Sequence, residues 1–266
     1  MNNDCVIHPN RAVSLQHVAP HIARVTLNRP QARNAVDGAL ALGLEQAVQL
    51  TETDPHIRCV ILTGAGEQAF CAGADLNAIA DGKANTLLTE RGGFAGFVQQ
   101  PRSKPWIAAV NGVALAGGTE IALACDLIVA AEHAAFGLPE VQRGLVAAAG
   151  GLYRLTRAIP RALAIELIIT GQRLPAARAQ QIGLVNRTVP GAELQGCALE
   201  LATRICANAP LAVRESLTIA RAAFDHDEQA LQRMGAQAIQ RLATSRDFSE
   251  GPRAFLEKRP PRWSGS

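Results

Sequence analysis

Two glutamates, Glu120 and Glu140, are the side chains of this sequence best suited to proton transfer. Glu120 lies in the stretch Ala-Gly-Gly-Thr-Glu-Ile and Glu140 in Phe-Gly-Leu-Pro-Glu-Val, so each carboxylate has mostly small or apolar neighbours. Burial among such neighbours raises the pKa of a carboxyl group toward the neutral range. Two such groups in one site can divide the work of base and acid. A single Glu in such a context is also compatible with a helix cap or a surface position.

Three glycine-rich loops could supply backbone N–H groups beside these carboxylates. They cover residues 64–76, 111–118 and 147–151, and each follows a segment that we predict to be a buried strand. Small side chains let backbone N–H groups approach a ligand, and two such donors form an oxyanion hole. Gly117 and Gly118 precede a predicted helix, residues 119–125, whose N-terminal end favours an anion. The same glycines could instead serve only tight turns.

Other catalytic templates are missing from the sequence. The Gly64/Gly66 pair lacks the third glycine and the acidic residue expected of a dinucleotide site, and no Gly-Lys-Ser/Thr phosphate loop is present. There is no Gly-x-Ser-x-Gly elbow, and no histidine stands in a triad context. We predict that His133 lies in a surface turn between two strands. Tyr153 is predicted to be a pocket-wall or packing residue on a helix.

Cysteine usage argues against a metal centre. No two cysteines form a Cys-x-x-Cys pair, so no zinc site is predicted. In a chain of this length they are interpreted as small buried hydrophobic residues of a reducing compartment, which favours the cytoplasm. The six are Cys5, Cys59, Cys71, Cys125, Cys197 and Cys206.

Composition limits the class of protein further. The chain has 266 residues, of which 48% are hydrophobic and 18% charged, which suits one large domain or one domain with an appendage. A net charge of +3 and a pI of about 8.7 favour an anionic small molecule but are too weak for nucleic acid. No apolar stretch reaches membrane-spanning length without interruption. The N-terminal segment has neither the pattern of a secretory signal nor that of a transit peptide.

Hydrophobic patterning predicts an α/β body followed by helices. Residues 11–18 and 22–28 alternate as a half-buried hairpin, and a helix capped by Asp37 follows. Apolar runs at residues 59–62, 106–110 and 127–131 predict buried parallel strands with helices between them. Beyond Gly150 the pattern is helical, with one short strand at residues 184–189. The predicted helices there are 151–159, 161–170, 176–182, 192–207, 211–224 and 228–243.

Several of these motifs, in this order, resemble the crotonase superfamily and, within it, enoyl-CoA hydratase. The resemblance spans nearly the whole chain. It includes Leu-Asn-Arg-Pro at residues 27–30, Ala-Phe-Cys-Ala-Gly-Ala-Asp-Leu at 69–76, Lys-Pro-Trp-Ile-Ala-Ala-Val-Asn-Gly at 104–112, Gly-Gly-Thr-Glu at 117–120, Phe-Gly-Leu-Pro-Glu at 136–140, Leu-Thr-Arg at 155–157 and the tail from Glu250 to Arg259.

The resemblance implies a fold and an assembly. It implies an α/β spiral of ββα repeats, with a C-terminal helical region that drives formation of a trimer or of a hexamer built from two trimers. We expect residues 1–190 to form the spiral core with the active site and residues 191–266 to form the helical region.

The resemblance also implies roles for particular residues. The substrate would be an acyl-CoA thioester, with CoA as part of the substrate and neither a metal nor an organic cofactor. Backbone N–H groups of Ala74 and Gly117 would form the oxyanion hole. Glu120 would activate water for attack at C3, and Glu140 would deliver a proton to C2. Contacts with CoA are implied for Gln31, Ala32, Arg33, Ala72, Gly73, Asp75, Leu76 and Lys258, the last with CoA bound to a neighbouring subunit.

Alternatives and departures from the family pattern stay open at this level. Other reactions of the superfamily are enoyl-CoA isomerisation, carnitinyl-CoA-type dehydration and hydration of branched or aromatic enoyl-CoA, and a noncatalytic RNA-binding role is a further alternative. Two glutamates favour hydration, because many isomerases use one carboxylate. Ala116 stands where the family often has Gly, which we interpret as a mild change. Gln31 stands where relatives are often basic, and residues 143–149 depart from the usual pattern beside the acyl pocket.

Overall fold

Buried parallel strands form the centre of the fold, as the apolar runs predicted. The computed structural model describes residues 6–266, so the predictions for Cys5 and for the first five residues of the N-terminal segment lie outside the described residues. In chain order the strands from residue 6 onward are β1 Val6–Asn10, β2 Val13–Ala19, β3 Ile22–Leu27, β4 Cys59–Gly64, β5 Ala69–Cys71, β6 Leu88–Thr89, β7 Gly93–Phe94, β8 Trp106–Val110, β9 Val113–Leu115, β10 Leu127–Ala131, β11 Ala135–Gly137, β12 Arg173–Pro175 and β13 Arg187–Val189.

Helices cover these strands and dominate the last third of the chain. Over the same residues they are α1 Gly38–Thr53, α2 Leu76–Ala80, α3 Gly117–Ala124, α4 Gly151–Ala158, α5 Arg161–Thr170, α6 Ala176–Gln181, α7 Leu194–Cys206, α8 Pro210–Ala222, α9 Glu228–Ala243 and α10 Arg246–Leu256. None of them is both long and apolar enough to cross a membrane.

The main sheet has the order β1-β2-β3-β4-β8-β10-β13 within the described part of the chain. Its first three strands are antiparallel, and β3, β4, β8, β10 and β13 then pair in parallel. Every residue of β4 and of β8 is buried. Strands covered on both faces have continuous apolar sequences, which is why these runs identified them.

A second sheet of very short strands explains the spiral. Strands β5, β9 and β11 each follow a main-sheet strand and line up in the order β12-β11-β9-β5. Each is followed by a helix, giving the successive units β4–β5–α2, β8–β9–α3 and β10–β11–α4. These units confirm the predicted α/β spiral of ββα repeats. The second sheet has no counterpart in the sequence analysis, because three residues are too few to show a hydrophobic period.

Helix α1 closes the first turn of this spiral on the main sheet. The Asp37 carboxylate accepts the Leu40 N–H at 2.8 Å, which confirms the predicted N-cap. Leu40, Leu44, Ala47 and Val48 are fully buried, as their helical spacing predicted.

The C-terminal helices are joined to the sheet by apolar packing and by ion pairs. Leu194 and Ala198 of α7 belong to the same buried core as the sheet strands. Arg221 of α8 forms a two-pronged ion pair with Asp126, with both N–O distances at 2.7 Å. The proposed division at residue 190 stays a prediction.

Several predicted boundaries are wrong in detail. The strand predicted at residues 184–189 is confined to Arg187–Val189, and α7 begins at Leu194 rather than at residue 192. Helix α10 was not predicted, because Gly251 and Pro252 interrupt its pattern.

Candidate active site

Helix α3 presents an unused backbone donor at its first residue. It begins at Gly117, two residues earlier than predicted, with the Glu120 N–H donating to the Ala116 carbonyl at 3.1 Å. The first N–H groups of a helix have no partner within that helix. No residue of the described chain, 6–266, accepts the Gly117 N–H, so it can bind a ligand oxygen, where the helix dipole also favours negative charge.

A second donor lies in the loop after β5. The Val36 N–H donates to the Gly73 carbonyl at 2.8 Å, and the Asp75 N–H donates to the Val36 carbonyl at 2.9 Å. Because extended backbone alternates its direction, Ala74 N–H faces away from this ladder. A Cβ built on Gly73 would lie only 3.1 Å from the Gly117 nitrogen, so the two loops approach closely. The predicted oxyanion pair thus comes from adjacent backbone segments.

An arginine holds the Ala74 loop in place. Arg29 Nη2 lies 2.9 Å from an Asp75 oxygen and 3.2 Å from an Asp37 oxygen, and Asp75 also caps α2 by accepting the Asn77 N–H at 3.0 Å. Burial acts to raise the pKa of Asp75, but the hydrogen bond from Arg29 and the backbone donors outweigh it and lower the pKa. Asp75 therefore supports the loop as a charged carboxylate.

Glu120 is a buried carboxyl group beside the third glycine loop. Its side chain is on the first turn of α3, only 3% of the residue is exposed, and Oε1 accepts the Gly151 N–H at 2.9 Å. Burial raises the pKa of Glu120 to about 7, with a further rise from the charge of Glu140; N–H donors from Gly151 and Ala149 oppose this. The group can therefore accept or release a proton near neutral pH.

Glu140 is the second carboxyl group of the site. It lies on a 3₁₀ turn, Pro139–Arg143, directly after β11. Its Oε2 atom is buried without a hydrogen-bond partner among residues 6–266. Burial raises the pKa of Glu140, while its own backbone N–H and Arg143 lower it to a smaller extent. An unpartnered buried oxygen suits a carboxyl group that holds a proton and can deliver it.

Thr119 brings the two glutamates together and was not identified as a site residue from the sequence. Its hydroxyl donates to the Ala114 or Gly137 carbonyl, at 2.7 and 2.9 Å, and accepts the Gly137 N–H at 3.1 Å. Gly137 ends β11, three residues before Glu140. The threonine next to Glu120 therefore fixes the strand that leads to Glu140. The sequence could have indicated this role, because a hydroxyl side chain in the first turn of a helix often bonds to nearby backbone groups.

The third glycine loop has a different origin from the one predicted. It follows the 3₁₀ turn at Pro139–Arg143 rather than a buried strand. Gly150 has φ of +116°, a conformation that favours glycine, and it allows the next N–H to turn toward Glu120. The loop thus donates a hydrogen bond to the Glu120 carboxylate, whereas the other two loops carry the predicted oxyanion donors.

Ala116 is not the mild change that family comparison suggested. Its backbone has φ of +52° and ψ of −126°, a region that a residue with a Cβ seldom adopts.

We expect Ala116→Gly to raise the free energy of unfolding by about 1 kcal/mol, because glycine removes this strain. Urea denaturation measures the change. Ala236→Gly, at an exposed position in the middle of α9, is the control and should lose about 0.5–1 kcal/mol; equal losses for both variants would contradict the assignment of strain.

The positions implied for CoA lie near the oxyanion loop, with one exception. The Ala72 N–H donates to the Arg33 carbonyl at 3.0 Å, which joins the segment containing Gln31, Ala32 and Arg33 to the loop of Gly73. A surface cavity of about 480 Å³ adjoins this segment, lined in part by Gln31 and Arg33. The first residue of α2, Leu76, is 59% exposed beside Asp75.

Lys258 is the exception. It is exposed just beyond α10 and, within the described chain, no hydrogen bond or ion pair joins its side chain to the glutamates or to the oxyanion loops. This location is compatible with the implied contact with a neighbouring subunit, which stays a prediction.

Two other residues singled out from the sequence contribute no reactive group to this cluster. His133 is exposed in the turn between β10 and β11, as predicted, with its ring nitrogen near the Glu67 and Asn111 carbonyls. Tyr153 is 48% exposed on α4, and Arg154 and Arg157 flank its ring. Among residues 6–266, no three His, Cys, Asp or Glu side chains converge as metal ligands would.

The arrangement combines two backbone donors with the buried carboxyl group of Glu120 and the partly buried carboxyl group of Glu140. Donors fixed at one point stabilise an oxygen that becomes negative, and the carboxyl groups can exchange protons on either side of it. This combination suits a reaction in which a carbonyl compound passes through an enolate.

Comparison with known proteins agrees with this chemistry. The family model for enoyl-CoA hydratase/isomerase matches residues 18–266. Carnitinyl-CoA dehydratase from Salmonella arizonae is 42% identical over 249 residues, 92% of this chain and 95% of that protein. Mevalonyl-coenzyme A hydratase sidH from Aspergillus fumigatus is 41% identical over 251 residues, 93% of each chain. The crystal structure of enoyl-CoA hydratase from Mycobacterium tuberculosis H37Rv is 44% identical, with a TM-score of 0.92, and covers 97% of this chain and 100% of that one.

Proposed function

We propose that this chain, which belongs to the enoyl-CoA hydratase/isomerase family, is an enoyl-CoA hydratase, a hydro-lyase. It adds water reversibly across the 2,3 double bond of a trans-2-enoyl-CoA to give a 3-hydroxyacyl-CoA. One observation carries this proposal: the buried carboxyl group of Glu120 and the partly buried carboxyl group of Glu140 interact through their charges, and burial raises the pKa of each.

The thioester oxygen is the group that the backbone donors would bind. The N–H groups of Ala74 and Gly117 belong to adjacent backbone segments and would donate to this oxygen together. As water attacks C3, electrons of the double bond move onto this oxygen and form an enolate. Removal of one oxyanion donor in other enzymes costs about 10²–10³-fold in rate, so this pair would contribute several kcal/mol.

The two carboxyl groups would take opposite parts in the proton transfers. Glu120, whose oxygen accepts the Gly151 N–H, acts as the carboxylate that removes a proton from water while the water oxygen bonds to C3. Glu140, with its unpartnered oxygen, acts as the acid that gives its proton to C2 as the enolate collapses. Exchange with solvent then returns each group to its starting state, and the reverse sequence is dehydration.

CoA would lie along the loops that meet at Ala72. We assign contacts with its nucleotide end to Gln31, Ala32 and Arg33, beside the surface cavity there, and contacts nearer the thioester to Ala72, Gly73, Asp75 and Leu76. Lys258 would reach the CoA phosphates of a neighbouring copy. CoA is part of the substrate, and we propose neither a metal ion nor an organic cofactor.

A related reaction is a second candidate. Carnitinyl-CoA dehydratase from Salmonella arizonae is 42% identical to this chain, and dehydration of a 3-hydroxyacyl-CoA is the reverse of the reaction above. The acyl group therefore decides between the two functions, because both use the same pair of carboxyl groups.

A substrate panel tests the proposal. Loss of the conjugated double bond is followed spectrophotometrically with crotonyl-CoA and with longer, branched and aromatic enoyl-CoAs, and its appearance is followed with L-carnitinyl-CoA. We expect hydration of at least one enoyl-CoA. Turnover of carnitinyl-CoA alone would select the second candidate, and turnover of no acyl-CoA would reject both.

We also propose that the protein forms a homotrimer or a hexamer. Large apolar side chains are exposed on the last two helices or just beyond α8, including Phe224, Ile239, Phe248, Phe255 and Leu256, and Phe255 is 83% exposed. Apolar patches of this kind are typical of interfaces.

Sedimentation equilibrium tests the assembly. We expect three or six times the chain mass of 28.1 kDa. Phe255→Asp should lower that mass, because it puts a charge into the interface, whereas Leu42→Asp, at an exposed apolar residue of α1, should not. A wild-type mass of a single chain would contradict the proposal.

The biological setting is proposed from the chemistry alone. Hydration of enoyl-CoA is a step of fatty acid β-oxidation, and we propose that pathway and the cytoplasm as the setting. We propose no nucleic-acid and no membrane partner.

A further inference from the structure

Arg154 makes two hydrogen bonds that none of the roles above uses. It lies on the first turn of α4, three residues after Gly151. Its Nη1 donates to the Ala149 carbonyl at 3.0 Å, and its Nη2 donates to the Val98 carbonyl at 2.6 Å. One side chain thus joins two segments that are about fifty residues apart in sequence.

The first of these segments holds the Glu120 carboxylate. N–H groups of both Ala149 and Gly151 face Glu120, and Arg154 bonds to the carbonyl of the same Ala149. Gly150 leaves no gap between them, since a Cβ there would lie 2.8 Å from the guanidinium carbon of Arg154. The guanidinium therefore packs directly behind the turn that carries the two donors.

The second segment lies against the oxyanion helix. The Val98 N–H donates to the Phe94 carbonyl at 3.3 Å. A Cβ on Gly117 would lie 2.5 Å from Cζ of Phe94, so the ring is in close contact with the first residue of α3. A shift of Val98 would consequently move the ring that packs on the Gly117 donor.

We propose that Arg154 is a positioning residue for the reaction, which fixes the Glu120 loop and the Phe94 segment relative to one another. This inference rests on the proposed hydratase function. An arginine is needed because its planar fork offers several donors in fixed directions, so it can bond to two carbonyls at once, whereas lysine is a single flexible point charge. Small displacements of positioned groups can cost about 10²-fold in rate.

Three variants distinguish the two hydrogen bonds of Arg154 from its charge. Arg154→Met removes the hydrogen bonds and the charge, whereas Arg154→Lys keeps the charge but cannot bond to both carbonyls at once. Arg157→Met is the control. Arg157 lies one turn further along α4 and pairs with Asp225 in an exposed ion pair. With crotonyl-CoA, or with the best acyl-CoA of the panel, we expect kcat of both Arg154 variants to fall about 10-fold to 100-fold. KM should change little, because Arg154 bonds to backbone carbonyls and is not among the residues assigned to CoA.

The pH profile distinguishes positioning from a general loss of stability. Two charged groups face Glu120: Arg154 from α4 and Glu140 from the 3₁₀ turn. Glu140 itself faces the charge of Arg143. The Arg154 charge lowers the pKa of Glu120, so Arg154→Met should move the acidic limb of kcat/KM to higher pH. Arg154→Lys should leave that limb nearly in place despite its lower kcat.

Amide hydrogen exchange supplies a readout that needs no turnover. In both Arg154 variants we expect faster exchange in residues 94–98 and 147–151, with no such change in Arg157→Met. If the wild type is inactive on every acyl-CoA and these segments still loosen, the hydratase proposal fails and the bridging function of Arg154 stands. If the segments do not loosen, or if wild-type activity survives in Arg154→Met, the inference is overturned.

Discussion

Glu120→Gln lowers kcat for hydration of an enoyl-CoA by about 10²–10⁴-fold, the range that a general acid or base contributes. Glutamine has nearly the shape of Glu120 and can still accept the Gly151 N–H, but it cannot take a proton from water. Glu140→Gln is expected to lose activity to a similar extent, because an amide cannot deliver a proton to C2. Initial rates of hydration and of dehydration, measured on the same preparations, give the size of each loss.

Binding of a CoA ester shows whether a variant has lost only the proton transfer or the whole binding site. Both variants should bind a CoA ester in calorimetric titration, since the loops assigned to CoA carry neither glutamate. Glu132→Gln is the matched control, because Glu132 is exposed in the turn between β10 and β11 and should keep full activity. Normal turnover in either the Glu120 or the Glu140 variant would remove that residue from the mechanism and favour a noncatalytic or one-carboxylate member of the superfamily.

Glu120→Gln should also make the protein more stable at alkaline pH. Folding raises the pKa of Glu120 from the usual 4.5 to about 7, so the folded state binds this proton more tightly than the unfolded state does. The free energy of unfolding therefore falls as pH rises from about 4.5 to about 7 and stays lower above that range. Glutamine carries no charge, and at pH 8 we expect Glu120→Gln to gain about 1–3 kcal/mol in urea denaturation.

At pH 4 this gain should disappear, because wild-type Glu120 is then protonated in both states. A gain that is equal at pH 4 and pH 8 would show that charge burial is not its cause. The expected combination of lost activity and gained stability is typical of a site where a charged group is held in an unfavourable environment for function.

The sequence predicted those parts of the fold whose burial pattern repeats over enough residues. β4, β8 and β10 were predicted because both faces of each strand are covered, and α1 because Asp37 caps a helix with one apolar face. Strands β5 and β9 are three residues long, so no pattern could identify them. They nevertheless carry the loops that hold Ala74 and Gly117.

The sequence predicted the two glutamates of the candidate site. It did not predict the residues that hold them in position. Glu120 and Glu140 were identified by their apolar contexts, but their convergence depends on Thr119, which bonds across to β11. The strain at Ala116 is a property of backbone angles, which the residue name does not reveal. The Arg154 bridge depends on a carbonyl 56 residues away, and such long-range contacts have no local signature.

Gly117→Ala is expected to lower kcat/KM by about 10²-fold, comparable to the loss of one oxyanion donor. The backbone of α3 would accept alanine, and the N–H would remain. However, the new methyl group would overlap the ring of Phe94, with Cζ 2.5 Å away. Either the ring moves or the start of α3 shifts, and a shift of α3 moves the donor away from the thioester oxygen.

A double-mutant cycle with Phe94→Ala assigns the cause. Removal of the ring makes room for the methyl group, so Gly117→Ala should cost clearly less in the Phe94→Ala background than in the wild type. Gly235→Ala is the control, because a Cβ at that position of α9 would meet, apart from its own helix backbone, no atom of the described chain within 4 Å; it should keep full activity. If Gly117→Ala costs the same in both backgrounds, contact with Phe94 does not position this donor. Coupling between the two residues would instead mean that Phe94 sets the position of the oxyanion donor, so that oxyanion geometry depends on a segment that neither glutamate touches.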